Sequence, residues 1–259
     1  MKLRQGKVHM IKALSLVVLS LILTINPYDV QAESVVEVGI FSAAADDVIP
    51  PEWTPLIFKK IKRHTQYNLV KENGLMVLKA SSDASASGLI RKIRIDPSHY
   101  PLIAWNWKIT GVYEKGDVTS KDGDDYPARV YITFEYDGSK LSFLEKIKIE
   151  VARLIYGQTP PFCAITYIWA SKAPKESIFP NPYTDRARMI VVESGDRKLN
   201  TWIKEERNVH DDYKKAFGKD PPHITGVAVM TDSDNTGEST ITFYGDILFK
   251  TITSDMKQK

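Results

Sequence analysis

The chain has 259 residues, 43% hydrophobic and 26% charged, with a formal charge of +3 and a single cysteine. That length supports one sizeable core, and one cysteine excludes an intrachain disulfide framework. The positive balance belongs to residues 1–32, which carry four of the 35 Lys/Arg and one of the 32 Asp/Glu; the remainder is neutral, so charge gives no reason to expect nucleic acid or an anionic membrane as partner.

The first element is a leader. Lys2, Arg4, Lys7 and Lys12 form a basic start, Ala13 to Ile25 is apolar, and Val30-Gln31-Ala32 places small residues where a signal peptidase reads. This is the layout of a secretory signal peptide, and its apolar run is short of the ~20 residues a settled transmembrane helix needs. The expectation is a signal peptide over 1–32 and a single domain over 33–259, periplasmic or secreted. No cysteine follows the leader to carry a lipid, and no later segment is apolar enough to span a membrane.

Period-two alternation dominates the chain beyond the leader. Strands are predicted over 34–41, 65–71, 75–80 and 87–95, with turns at Asn73-Gly74 and Asp96-Pro97. In 103–109, Ile103, Trp105, Trp107 and Ile109 share one face and Asn106 and Lys108 the other. The two tryptophans therefore read as core rather than as a sugar-stacking pair. In 128–136, Val130, Ile132 and Phe134 oppose Arg129, Tyr131, Thr133 and Glu135. A helix is predicted next. Ser142 and Glu145 form a capping box, Phe143, Ile147, Val151, Leu154 and Ile155 an apolar stripe, and Gly157 a stop. Strands at 163–170, 187–193 and 199–209 come after it, with Cys163 read as a buried hydrophobe, Trp169 and Trp202 as core, and Arg207 as a salt-bridged strand residue. A short helix over 211–217 ends at Gly218, and strands at 224–232 and 239–249 close the chain. In the last, Ile241, Phe243, Ile247 and Phe249 oppose Thr242, Tyr244 and Asp246, with Gly245 a candidate bulge. Some eleven short strands with turns between them predict a mostly β fold: an antiparallel, jelly-roll-like β-sandwich with one inserted amphipathic helix.

Two acidic loops stand out. Asp117 and Asp122-Gly123-Asp124-Asp125-Tyr126 precede the 128–136 strand, and Thr231-Asp232-Ser233-Asp234-Asn235-Thr236-Gly237-Glu238 lies between the last two strands. Each reads as a solvated turn, the second as a hairpin loop, or as a source of oxygen ligands for Ca²⁺. The second is no helix–loop–helix calcium site, since Phe243 occupies the twelfth position and strands flank it. Should the two loops converge, Asp124, Asp125, Asp232 and Asp234 are the metal candidates. If strands 103–109, 128–136 and 239–249 are neighbours, their polar sides merge into one surface. Asn106, Arg129, Tyr131, Tyr244 and Asp246, with Asp124, Asp125 and Tyr126 at its rim, would then bind sugar hydroxyls and C–H faces, or form a plain solvated face. No G-x-S-x-G elbow, phosphate loop, dinucleotide fingerprint or H-E-x-x-H occurs, and His64, His99, His210 and His223 are isolated.

The stretches Ala84 to Gly88, Trp105-Asn106-Trp107, Gly123 to Tyr131, Tyr167 to Ala170, Met230 to Gly237 and Tyr244 to Ile247 resemble a family of secreted bacterial proteins labelled as a domain of unknown function. The resemblance covers nearly all of 33–259. It implies one extracytoplasmic domain of a Gram-negative bacterium and carries no catalytic residue with it. The leading expectation is a domain that binds a polysaccharide or cell-envelope glycan, with Ca²⁺ as a possible cofactor. The alternatives are a polysaccharide lyase using Tyr131 or Tyr244 with Arg129, a hydrolase using Glu135 and Asp246, or a structural envelope protein.

Overall fold

Alternation at this density buries one side of each strand, and the computed structural model, which describes residues 34–135 and 163–253, arranges those sides as two facing sheets. Among these residues there are thirteen strands: β1 (Val35–Gly39), β2 (Trp53–Leu56), β3 (Gln66–Glu72), β4 (Leu75–Asp83), β5 (Ala86–Ile95), β6 (Leu102–Ile109), β7 (Ala128–Phe134), β8 (Ala164–Ala170), β9 (Ile178–Asn181), β10 (Thr184–Ser194), β11 (Ile203–Asn208), β12 (Ile224–Asp232) and β13 (Ser239–Lys250). All eleven predicted strands are present; β2 and β9, each four residues long, are additions. The helix expected from Ser142 lies outside the described residues, as does the expected signal peptide.

The smaller sheet runs β11-β6-β13-β4-β3, with β1 beside the second half of β13. The larger runs β2-β5-β12-β7-β8-β10-β9. Pairing is antiparallel except at β8–β10, so the sandwich is mixed rather than wholly antiparallel. The cause is the β9–β10 hairpin, whose second strand, not its first, lies against β8. Trp105, Trp107, Tyr244 and Phe249 of the smaller sheet pack against Val130, Ile132, Tyr167 and Trp169 of the larger in one core. The Trp105 and Tyr167 rings stack across it at 5.2 Å. Trp202 lies outside that core: it is half-buried ahead of β11, 6.5 Å from Phe243.

The helix α1 (Val209–Phe217) starts on Asn208, whose side chain accepts from the Asp211 amide, and stops at left-handed Gly218. It turns Asp212 inward to Arg207 of β11, at 2.8 and 3.0 Å, and to the Tyr167 hydroxyl, at 2.9 Å. Arg207 is thus the salt-bridged strand residue its surroundings suggested.

The strand β13 departs from simple alternation in a way that bears on the site. The β13 register slips against β6 between Tyr244 and Ile247. Ile247 and Phe249 face the core as expected, but ahead of the slip the phase reverses. Thr242 and Tyr244 point inward, whereas Phe243 lies opposite Lys108 on the outer side. A bulge adds one residue to one strand, and one residue exchanges the faces. Among the described residues, no helix is long and apolar enough to cross a membrane.

Candidate functional site

The site lies on the outer face of the larger sheet, where the connection from β6 to β7 (residues 110–127) meets the one from β12 to β13 (residues 233–238). The second is not a hairpin: β12 and β13 belong to different sheets, so this loop crosses from one layer to the other. Gly123 makes the first loop tight. Its carbonyl accepts from the Asp117 amide at 2.9 Å, and a Cβ there would stand 2.6 Å from that nitrogen. The Glu238 carboxylate ties the loops together by accepting from the Glu114 and Lys115 amides at 2.9 and 3.0 Å. Asp125 adds a third tie, its Oδ2 accepting from the Thr236 amide at 2.6 Å.

Arg129 of β7 is the hub, 3% exposed. Nε donates to Asp232 Oδ1 at 2.7 Å and Nη2 to Asp232 Oδ2, a bidentate pair. Nη2 also donates to the Asp124 carbonyl at 2.5 Å, and Nη1 to the Tyr131 hydroxyl at 3.2 Å. The Tyr126 ring lies 4.3 Å from the guanidinium carbon. Burial opposes the Arg129 charge, yet Asp232 and its neighbours hold the group above its ordinary range.

One guanidinium does not balance this neighbourhood. Asp124, Asp125 and Asp232 are all buried, and Asp234 is exposed beside them. Burial raises the Asp124 carboxyl against the pull of Arg129; burial and then the Asp125 charge raise Asp234. Asp125, Asp232 and Asp234 each offer an oxygen within 4.8 Å of the others. The centre of an equilateral triangle of that side is about 2.8 Å from each corner, close to the 2.3–2.6 Å of a calcium–oxygen bond. Asp125 is 1% exposed, and its Oδ1 has no hydrogen-bond partner among the described residues. Buried polar atoms are nearly always paired, so an orphaned carboxylate oxygen marks a place where a partner belongs. Asp125 and Tyr126 also help to wall a cavity of about 490 Å³, with Lys115, Ser171, Lys172 and Phe179.

The fold therefore gathers Asp124, Asp125, Tyr126, Arg129, Tyr131, Asp232 and Asp234. It does not gather the rest of the expected sugar face. Tyr244 approaches from the opposite side of the larger sheet: its hydroxyl accepts from the Arg129 amide at 3.3 Å and donates to the Met230 carbonyl at 2.7 Å, inside the core. Asn106 faces outward on the smaller sheet, over Gly245. The Asp246 carboxylate accepts from the Ser42 amide and hydroxyl at 2.9 and 2.5 Å. The expected merger of three polar faces fails because β7 is in one sheet and β6 and β13 in the other. Asp124 stands apart from the three-carboxylate group, 3.7 Å from Arg129.

The profile of the family described as "Protein of unknown function (DUF3047)" matches residues 51–248. The chain belongs to the DUF3047 family. No curated protein matches it. A similar solved structure is the carbohydrate recognition domain of Emp47p, with 11% identity and a TM-score of 0.41, covering 83% of this chain and 95% of that one.

Several residues of this DUF3047 domain that border the site were not legible as such. Tyr183 sits at the turn of the β9–β10 hairpin, 56% exposed, and its hydroxyl is 3.2 Å from Asn235 and 3.3 Å from the Lys121 carbonyl. The signal available was an aromatic on a proline-bounded turn, Pro180-Asn181-Pro182-Tyr183. Nothing in the sequence marks Lys115 or Lys172, which reach the cavity from separate loops.

Proposed function

We propose that this chain is a calcium-dependent glycan-binding domain, a sandwich of jelly-roll type that works outside the cytoplasm. One observation carries the reading: a buried, unpartnered carboxylate oxygen on Asp125, within a group of three carboxylates and beside a cavity. Ca²⁺ takes 6–8 oxygens, so an ion held by Asp125, Asp232 and Asp234 keeps positions for water or for vicinal sugar hydroxyls. Asp234 opens the group to solvent, and the exposed Tyr183 ring nearby supplies an apolar plate for a sugar's C–H face. The leader over 1–32 supports an extracytoplasmic place of work.

The catalytic readings gain less. A lyase needs a tyrosine that gives up its proton readily, but burial raises the hydroxyls of both Tyr131 and Tyr244, and Arg129 is committed to Asp232. A hydrolase pair of Glu135 and Asp246 is divided between sheets: Glu135 pairs with Arg94 at 3.2 Å, while Asp246 holds Ser42.

The test is calorimetric titration of the purified domain with CaCl₂, followed by a glycan array read with calcium and with EDTA. The expected result is saturable calcium binding that weakens at least ~10-fold in Asp125→Asn, an exchange that removes one ligand charge yet can keep the Thr236 hydrogen bond. Array signals should vanish in EDTA. Calcium binding indifferent to Asp125→Asn, or an array blank in both conditions, would overturn the reading.

A further inference from the structure

The cavity beside Asp125 has a second chemical character. Lys115 and Lys172 reach its wall from different loops. Lys115 Nζ donates to the Thr236 carbonyl at 3.1 Å, and Lys172 Nζ to the Glu114 carbonyl at 2.5 Å. Among the described residues neither ammonium forms an ion pair with a carboxylate. An ammonium has three donors, so each retains two. The one acid on the wall besides Asp125 is Asp117, and its Oδ1 accepts from the Thr119 amide and hydroxyl at 2.9 and 2.7 Å. The Phe179 side chain adds an apolar surface.

We propose that the ligand of this cavity is an acidic glycan, a chain bearing hexuronate units. Its carboxylate pairs with Lys115 and Lys172, its ring packs on Phe179, and its hydroxyls point toward Asp125. With Asp125 engaged by the ion, two ammoniums face one remaining wall carboxylate, Asp117, so a neutral sugar would leave a positive charge unmatched. Charged groups so placed set specificity more than raw affinity. This inference rests on the cavity being the glycan site proposed above, and adds which glycans it takes.

The experiment compares a hexuronate tetrasaccharide with the same oligosaccharide after its carboxyls have been reduced to primary alcohols. Both are titrated into the domain at saturating calcium, alongside a broad glycan array. The acidic form should bind at least ~10-fold tighter, the scale of one lost charge-assisted hydrogen bond. Lys115→Ala/Lys172→Ala should bring the two forms within about twofold while calcium still saturates the domain and the melting temperature holds, because both side chains are exposed. Equal binding of the acidic and reduced forms by the unaltered domain overturns the acidic preference and leaves the glycan reading standing. A preference that survives in the double variant overturns its assignment to Lys115 and Lys172 and likewise leaves the glycan reading standing. If neither form binds but neutral glycans on the array do, the acidic class is wrong; if the array is blank as well, the glycan reading falls with it.

Discussion

Arg129 and Asp232 are each about 3% exposed, so their pair is far from a surface salt bridge. Removing one partner strands the other charge in a medium that solvates it poorly. Asp232→Asn should cost about 3–5 kcal/mol, read as a lower urea midpoint, and Arg129→Met/Asp232→Leu should lose less than that single variant because the guanidinium is no longer stranded and Asp124, whose carboxyl burial already raises, can take up a proton in its place. If the double variant is the less stable, the pair is a net stabiliser. Glu205 makes the opposite case, a half-buried acid without a cation of its own. Burial first, and the charge of Glu193 second, push its carboxyl up to about 7. Between about 4.5 and 7 the folded chain keeps a proton that the unfolded chain has released, so stability falls as pH rises through that window and levels off above it. Allowing for its partial exposure, the loss is about 1–3 kcal/mol. Glu205→Gln should flatten the profile, which urea unfolding at pH 5 and pH 8 would reveal; a variant with the same pH slope would assign the effect elsewhere. The sequence placed Glu205 on a strand but carried no hint of this, because its environment comes from β6, remote in the chain, and from β10, which belongs to the other sheet.

At the level of elements, strand identity was largely local information, and strand phase was not. Ile103, Trp105, Trp107 and Ile109 alternate without interruption, and β6 faces as its sequence says. In β13 the same reasoning fails over 241–244 because the slip before Ile247 inserts a residue that hydrophobicity does not signal. Gly245 was the clue, and its reason is now concrete. A Cβ at this position would overlap Asn106 Oδ1 and lie 2.6 Å from its Cγ. Gly245→Ala should therefore destabilise by about 1–3 kcal/mol through overpacking, and Gly245→Ala/Asn106→Ala, which removes the three nearest clashing atoms, should recover most of that loss. Additive penalties in this double-mutant cycle would mean that the bulge needs glycine for its backbone rather than for the space.

At the scale of the whole molecule, the order of strands decides what can share a surface, and pairing between distant segments leaves little trace in one sequence. The two acidic loops were visible separately. Their convergence depends on β7 and β12 being neighbours in one sheet while β12 hands the chain to β13 in the other. That crossing gives the loops a thermodynamic role. They join the layers through Asp125–Thr236 and Glu238–Lys115, yet they hold Asp125, Asp232 and Asp234 close together with Arg129 as the buried counter-charge. An ion bound there favours the folded state alone, since the unfolded chain scatters its ligands. At a free calcium concentration of 100 times Kd the gain is about 2.7 kcal/mol, or roughly 5–10 °C in melting temperature for a domain of this size. The melting temperature should climb with the logarithm of calcium concentration and return to its starting value in EDTA. Asp234→Asn, at the exposed corner of the group, should melt normally without calcium and respond weakly to it. Magnesium, smaller and stricter in its octahedral demand, should give a smaller rise at equal concentration. A melting temperature that ignores calcium up to millimolar levels would mean the loops are held by Arg129 and backbone hydrogen bonds alone, and the carboxylates would then be structural.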